Sequence, residues 1–309
     1  MNYLTKILKI ILSLIVLLIV AVIIMFSHRD IPLDDLKIKY ANSNSSFVAV
    51  NKMDVHFRDE GVQTDTIPIV LIHGTGASLH TFNAWSDRLK KSHRVIRMDL
   101  PAYGLTGPFP DKNYTMANYT TFLKDFLIAL NIKQCVLAGN SLGGAIAWNF
   151  TLEQPSTVTK LILIDASGYP IASKSVPIAF SLAKIPVINK LLTFITPRFL
   201  VRSSVENVYF DNSKVTDLVV ERYFNLTLRA GNRKAFVDRL KIPKDTSTYR
   251  FIKSIQQPTL ILWGAEDLLI PVENAYKFHQ DLPNNTLVIL DDTGHTPMEE
   301  SSLESLEPV

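Results

Sequence analysis

The chain predicts an α/β architecture: a mostly parallel central sheet flanked by helices, interrupted by a helical insertion before its last strands. Three observations predict it. Apolar strand-like runs alternate with helix-like runs, and each strand is apolar throughout, as strands buried on both faces are. The alternation breaks off after Gly168 and resumes at Gln257. At the centre of the chain, Gln134 to Asn149 is a short strand that turns sharply at Ser141 into a helix.

Taken in order, the chain opens on an apolar run from Ile10 to Phe26, preceded by Ile7 and Leu8. This is near the roughly 20 residues a bilayer span requires. It ends in Met25-Phe26-Ser27-His28, without the small residues of a cleavage site, so residues 1–28 read as an uncleaved membrane anchor. Lys6 and Lys9 precede the span, and Arg29, Lys37 and Lys39 come after it, which leaves the charge rule nearly balanced. The short basic N-terminus favours the bulk of the chain on the exported (periplasmic) side. Residues 29–46 read as a linker ending in a polar run.

A hairpin is expected from Phe47–Val50 and Asp54–Arg58, then a buried strand from Ile67 to Ile72 running into a glycine loop, His73 to Ser78. A helix near Phe82–Lys90 leads to the strand Arg94–Leu100 and a Gly/Pro loop, Pro101–Gly107. From Thr115 to Leu130 the apolar residues Met116, Tyr119, Phe122, Leu123, Phe126, Leu127 and Leu130 fall at helical spacing and form a core-facing stripe. Another apolar strand, Lys160–Ala166, precedes the insertion, residues 169–250, which holds several prolines and no convincing buried strand. The strands Gln257–Gly264 and Thr286–Leu290, with a helix from Val272 to Leu282 between them, complete the body, residues 47–168 and 251–309.

Composition bounds the function. The 309 residues carry 32 basic and 29 acidic side chains, a net charge of +3, which argues against a nucleic-acid surface. Cys135 is the single cysteine, so cysteines alone build no disulfide, zinc or iron–sulfur site. No metal or cofactor is called for by the candidate site residues.

The turn at Ser141 reads Gly139-Asn140-Ser141-Leu142-Gly143. So tight a strand-to-helix turn strains its central residue and leaves no room for side chains two positions either side, hence Gly139 and Gly143. A serine nucleophile needs a base and an acid that orients the base, each in a loop after a strand. Of seven histidines, His295 alone lies downstream of Ser141 directly after a predicted strand. Asp267 comes just after the strand ending near Gly264, with Asp165, at the end of the preceding strand, as its rival. Asp99 comes too early and reads as structural. The backbone N–H groups of Leu142, after the nucleophile, and Thr75, in the glycine loop, are the expected oxyanion donors.

Together His73-Gly-Thr-Gly-Ala-Ser78, Gly139-Asn-Ser-Leu-Gly-Gly144, Trp263-Gly-Ala-Glu-Asp267 and Gly294-His-Thr-Pro297 resemble the α/β-hydrolase superfamily, over roughly Phe47 to Met298. Within it the chain looks most like bacterial family V lipases and esterases. Meta-cleavage C–C hydrolases, haloperoxidase-like enzymes and membrane-anchored monoacylglycerol lipases share much of the pattern. The resemblance implies Ser141, Asp267 and His295 as a triad, with donors at Thr75 and Leu142. The chain departs from the family after His295, where only 14 residues remain, too few for the usual C-terminal helix that packs on the sheet.

The expected function is a membrane-anchored serine hydrolase of small ester or lipid-like substrates, with Phe180 and Phe194 of the insertion as candidate acyl contacts. Two alternatives stand beside it. A C–C hydrolase of diketo acids would need a cation for the carboxylate, for which Arg202, Arg222 and Arg229 are candidates. A binding protein on an inactive scaffold is disfavoured by the complete set of Ser141, Asp267 and His295.

Overall fold

The computed structural model describes residues 3–170, 172–243 and 247–309. Eight strands form one sheet in the order β1-β2-β4-β3-β5-β6-β7-β8. They are β1 (Ser45–Val50), β2 (Met53–Gly61), β3 (Ile69–Ile72), β4 (Arg94–Met98), β5 (Cys135–Asn140), β6 (Val158–Ile164), β7 (Thr259–Gly264) and β8 (Asn285–Leu290). The β1–β2 hairpin pairs antiparallel and joins β4 antiparallel; every other neighbour is parallel.

Two apolar layers cover the sheet, and strand alternation sorts residues between them. In β3, Val70 and Ile72 feed one layer, while Ile69 and Leu71 feed the other. The first layer lies under α4 (Met116–Ala129), α5 (Leu142–Glu153) and α11 (Glu273–Asp281), whose Phe122, Phe126, Ile146, Phe150 and Phe278 are buried in it. Thr115 caps α4 by accepting from the Asn118 N–H, which fixes its start one residue after the expected one. The second layer holds Trp85 of α3 (Asn83–Leu89) and Met298 of α12 (Pro297–Glu300).

Between β6 and β7 lies the insertion, with α6 (Ile178–Leu182), α7 (Ile188–Leu191), α8 (Arg198–Glu206), α9 (Asp217–Thr227) and α10 (Asn232–Lys241). Residues 171 and 244–246 of this stretch lie outside the described residues.

At the N-terminus α1 (Tyr3–Phe26) is long and apolar enough to cross a membrane. At 1.5 Å per residue its 24 residues reach about 36 Å, against a hydrocarbon core of about 30 Å. The segment after α1 is not the expected linker. Ser27 bridges Ile195, Ile31 bridges Arg229, and α2 (Leu33–Tyr40) buries Leu36 and Tyr40 against Leu105 and Leu226. Only residues 42–46 form an unbroken polar run; before them the charged residues are interleaved with Ile31, Leu33, Leu36 and Tyr40, whose packing stabilises an ordered segment.

The short C-terminus is also held. Ser305 Oγ accepts from Trp85 Nε1 (3.0 Å) and donates to the Pro297 carbonyl (3.1 Å). Glu300, buried after the histidine loop, accepts from Gly294 N (2.8 Å), Phe210 N (2.8 Å) and Asp211 N (2.7 Å). Glu300 thus fastens the loop carrying His295 at Gly294 and ties it to the insertion at Phe210 and Asp211.

Candidate active site

Ser141 sits between β5 and α5 with φ 56° and ψ −114°, a conformation rare for a residue with a Cβ. The flanking glycines explain how it is reached. A Cβ on Gly139 would lie 2.2 Å from the Gly143 carbonyl oxygen, and one on Gly143 would lie 2.2 Å from the Ile72 carbonyl oxygen. Both distances are far inside van der Waals contact, so the glycine requirement read from the motif is steric. Ser141 N donates to the Ile164 carbonyl (3.0 Å) and the Ser141 carbonyl accepts from Ser167 N (3.1 Å), which locks the turn to the end of β6.

Across the sheet edge, His295 Nδ1 donates to Asp267 Oδ2 at 2.6 Å, with both side chains buried. The other oxygen of Asp267 accepts from Leu269 N (2.8 Å) and Ile270 N (2.9 Å). Three donors therefore converge on one carboxylate and fix its orientation. Glu266, its neighbour, is exposed and turned away.

Asp165 is close by. A carboxyl oxygen of Asp165, one of Asp267 and a ring nitrogen of His295 lie within 4.8 Å of one another. Asp165 Oδ1 accepts from Gly264 N at 3.0 Å, the loop-backbone role its position suggests. Its Oδ2 is buried and meets no donor among the described residues. Burial, reinforced by the Asp267 charge, pushes the Asp165 carboxyl well above the usual carboxylate range. Raised in this way, the Asp165 carboxyl favours its neutral form beside Asp267. A cation in this cluster would face the Leu269 and Ile270 N–H donors, so the set suits a proton better than a metal.

Two residues that sequence reasoning passed over fasten these parts together. Asn140, the variable position of the serine turn, donates through Nδ2 to the carbonyls of His295 (3.0 Å) and Ile164 (3.2 Å). His73, fully buried, donates from Nδ1 to the Gly74 carbonyl (2.8 Å) and accepts at Nε2 from Leu100 N (2.9 Å). Burial lowers its pKa, so it stays neutral and pins the glycine loop to the loop after β4. The residue types gave no signal for either; only the fold brings their partners near.

Ser141 and His295 open on one cavity, with about 1220 Å³ of empty space including its mouth. Thr75 lines it between Gly74 and Gly76, while Leu142 is the first residue of α5 with a buried side chain. The wall is largely apolar: Phe180, Leu192, Ile195, Leu200, Val201, Val205, Leu226, Phe236 and Leu269. Phe180 is thus where the sequence expects it, packed edge-on against Phe236. Phe194 is not: it is 66% exposed and lies outside the lining, because its short segment turns Leu192 and Ile195 inward instead.

Arg202, Arg222 and Arg229 are likewise outside the lining. Arg202 pairs with Asp217, Arg222 with Glu299, and Arg229 donates to the Thr106 and Ala230 carbonyls. The arginine that does line the cavity is Arg233. Its terminal nitrogens are engaged by the carbonyls of Phe194 and His28, the Thr196 hydroxyl and the Asp30 carboxylate.

A strained serine between a parallel strand and a helix, beside a coupled aspartate and histidine, defines a hydrolase scaffold. The family model of the alpha/beta hydrolase fold matches residues 67–302, and the chain belongs to that family. It is similar to the uncharacterized hydrolase YugF of Bacillus subtilis (strain 168), 28% identical over 251 residues, 81% of this chain and 90% of that one. It is also similar to the 2-hydroxy-6-oxo-6-(2'-aminophenyl)hexa-2,4-dienoic acid hydrolase of Metapseudomonas resinovorans, 30% identical over 239 residues, 75% of this chain and 78% of that one. Among solved structures, a membrane phospholipase A described as a bacterial virulence factor superposes with a TM-score of 0.72 at 22% identity, covering 97% of this chain and 96% of that one. At that identity the likeness is one of fold.

Proposed function

We propose that this α/β hydrolase is a membrane-anchored carboxylic ester hydrolase of the family V lipase and esterase kind, acting on acyl esters by an acyl-enzyme mechanism. Ser141 attacks the ester carbonyl while His295 takes its proton, and Asp267 steadies the imidazolium through Nδ1. The backbone N–H groups of Thr75 and Leu142 receive the oxyanion, the latter helped by the start of α5. His295 then passes its proton to the departing alcohol, and water repeats the sequence to free the acid and restore Ser141. The α1 helix serves as the anchor, with the body of the chain on the exported side.

The observation that carries the ester reading is the cavity wall. It is apolar, as an acyl chain requires, and its one arginine is already neutralised by Asp30 and saturated at its terminal nitrogens. Hydrolysis of a C–C bond in a diketo acid is the second reading, favoured by the 30% identical relative whose name gives a dienoic acid as substrate. Such a carboxylate would have to displace Asp30 from Arg233, at the cost of breaking a partly buried ion pair.

The test is a series of p-nitrophenyl esters of graded acyl length run beside a 2-hydroxy-6-oxo-dienoic acid. Ester turnover that rises with chain length, lost in Ser141→Ala, is expected. Faster cleavage of the dienoic acid than of any ester would overturn the reading in favour of the second.

A further inference from the structure

The insertion carries a surface that the reaction leaves unused. Between Asp165 and Glu206 the chain has no acidic residue, whereas Lys174, Lys184, Lys190, Arg198 and Arg202 lie in that stretch. Interleaved with them are large apolar side chains open to solvent: Ile178, Ile185, Val187, Leu191, Phe194 and Phe199. Lys184 and Lys190 are exposed, and no acidic partner faces either among the described residues. Lys174 pairs with Glu273, and Arg202 with Asp217 and Glu206, so Lys184 and Lys190 are the cations that give this apolar surface its basic character, the composition of a segment lying in a membrane interface.

Its position relative to α1 is fixed by backbone contacts. Thr196 N donates to the Phe26 carbonyl (3.0 Å), His28 N donates to the Phe194 carbonyl (3.2 Å), and Ser27 bridges Ile195. The Phe26 and Phe199 rings meet edge-on at 5.7 Å, and Arg233 ties His28 and Asp30 to the same segment. The end of the candidate span and the apolar face of the insertion thus form one unit, with no free linker between them. The reverse side of this unit is the cavity wall, through Leu192, Ile195 and Leu200.

We propose that the surface running from Lys174 to Phe199 is a lipid-docking face, seated on the anionic phospholipid of the leaflet from which α1 emerges. The proposal rests on the reading of α1 as a membrane anchor. The apolar side chains enter the interface beside α1, while Lys184 and Lys190 sit at headgroup level. An acyl ester leaving the bilayer at this point meets the wall of the cavity that holds Ser141. A second copy of the chain fits the face less well, because a two-fold contact would set lysines against lysines.

The full-length chain is reconstituted into bilayers of phosphatidylcholine with or without phosphatidylglycerol, containing spin-labelled lipid. Thiol-reactive fluorophores are placed by Phe194→Cys on the face, Phe251→Cys on the body and Leu17→Cys in α1; Cys135 is buried and stays in place. Quenching at position 194 several-fold stronger than at 251, and stronger with phosphatidylglycerol, is the expected result. Quenching at 17 but not at 194 overturns the docking face and leaves the anchor standing. No quenching at 17 overturns the anchor itself. A disulfide between two Phe194→Cys chains, with position 194 shielded from lipid, makes the face a contact between copies and also overturns the proposal. Lys184→Glu with Lys190→Glu should weaken quenching at 194 in the anionic bilayer and slow turnover of a bilayer-dissolved ester several-fold, with a short soluble ester hydrolysed as before. The quenching results do not depend on ester chemistry, so they stand or fall apart from it.

Discussion

This molecule brings a serine, a histidine and an aspartate together twice, at Ser141 with His295 and Asp267 and at Ser45 with His56 and Asp99. In the first row His295 Nδ1 donates to Asp267 beside Ser141. In the second, His56 Nδ1 donates to Asp99 Oδ2 (2.7 Å), and His56 Nε2 lies 2.9 Å from Ser45 Oγ. Residue types and distances alone would rank the second row at least equal. Three differences separate them. Ser45 sits in the regular β1 strand, without the strained backbone that lifts Ser141 out of the sheet. It lies outside the cavity lining, whereas Ser141 and His295 share one cavity. Its Oγ already accepts from Asn42 N (3.2 Å) and Arg58 Nε (3.2 Å), so both lone pairs are engaged and none is left to attack a carbonyl. A nucleophile is defined by what its oxygen has free.

The largest expected effect tests that distinction directly. Ser141→Ala should lower ester turnover by roughly 10⁶-fold, the scale on which a whole triad acts as a unit. A fluorophosphonate should label Ser141 and leave Ser45 unlabelled, as read by mass spectrometry of the peptides. Labelling of Ser45, or turnover surviving in Ser141→Ala, would erase the contrast between the rows.

Next in size is Asp99→Ala, where the second row shows its own purpose. Asp99 accepts from Leu79 N (2.8 Å), Leu105 N (2.8 Å) and His56, and so joins the segments after β3 and β4 that border the cavity. Removing it orphans three buried donors at about 1–3 kcal/mol each, so a loss of about 3 kcal/mol or more is expected in denaturant unfolding. A change below about 1 kcal/mol would show that the row holds little together.

The same residues show how far the site was legible in the sequence. The strand-and-helix alternation, the serine turn and the order of acid and base all rest on local pattern, and the observed elements fall within a few residues of those expected. The insertion's inward face was not legible, because its helices are short and irregular and no periodicity tells Leu192 from Phe194. The docking of residues 27–31 was equally hidden. It depends on partners more than a hundred residues away, and nothing in the local sequence announces them. Asp165 was visible as a rival acid but not as a neighbour of Asp267, since adjacency across β6 and β7 belongs to the sheet register.

A third prediction concerns this carboxyl pair, which the second row lacks. With Asp165 neutral, Asp165→Asn should keep most activity and the bond from Gly264 N, while Asp165→Ala should cost more by leaving that donor orphaned beside the Asp267–His295 pair. Stability adds a signed test. The folded carboxyl of Asp165 is raised, so its contribution is fully present below the unfolded value of about 3.9 and is lost as pH rises through the folded value. Asp165→Asn should therefore gain stability relative to the parent as pH increases, measured by denaturant midpoints. Asp99 has the opposite sign. Burial pushes its carboxyl up, but His56, with His73 and His80, outweighs burial and holds it below the usual carboxylate range. Its contribution is present above about 3.9 and is lost as pH falls through the lower, folded value. Parallel pH curves for Asp165→Asn and the parent would remove the neutral carboxyl from the account.

The smallest effect returns to the serine of the second row. With Asn42 N and Arg58 Nε on its lone pairs, the Ser45 hydroxyl has its proton left to give, and His56 Nε2 is the acceptor at 2.9 Å. Ser45→Ala therefore removes one hydrogen bond from His56 and an acceptor from both Asn42 N and Arg58, whose guanidinium keeps the Tyr40 carbonyl (3.0 Å) as a partner. Because Ser45 is only partly buried, water can replace some of what is lost, and a destabilisation of about 1 kcal/mol is expected. Ester turnover should stay within about two-fold of the parent, since a change of that size in the hairpin leaves the native fraction near unity. Turnover that fell as far as in Ser141→Ala, at unchanged stability, would mean that the strained turn and the free lone pairs are not what sets one serine apart from the other.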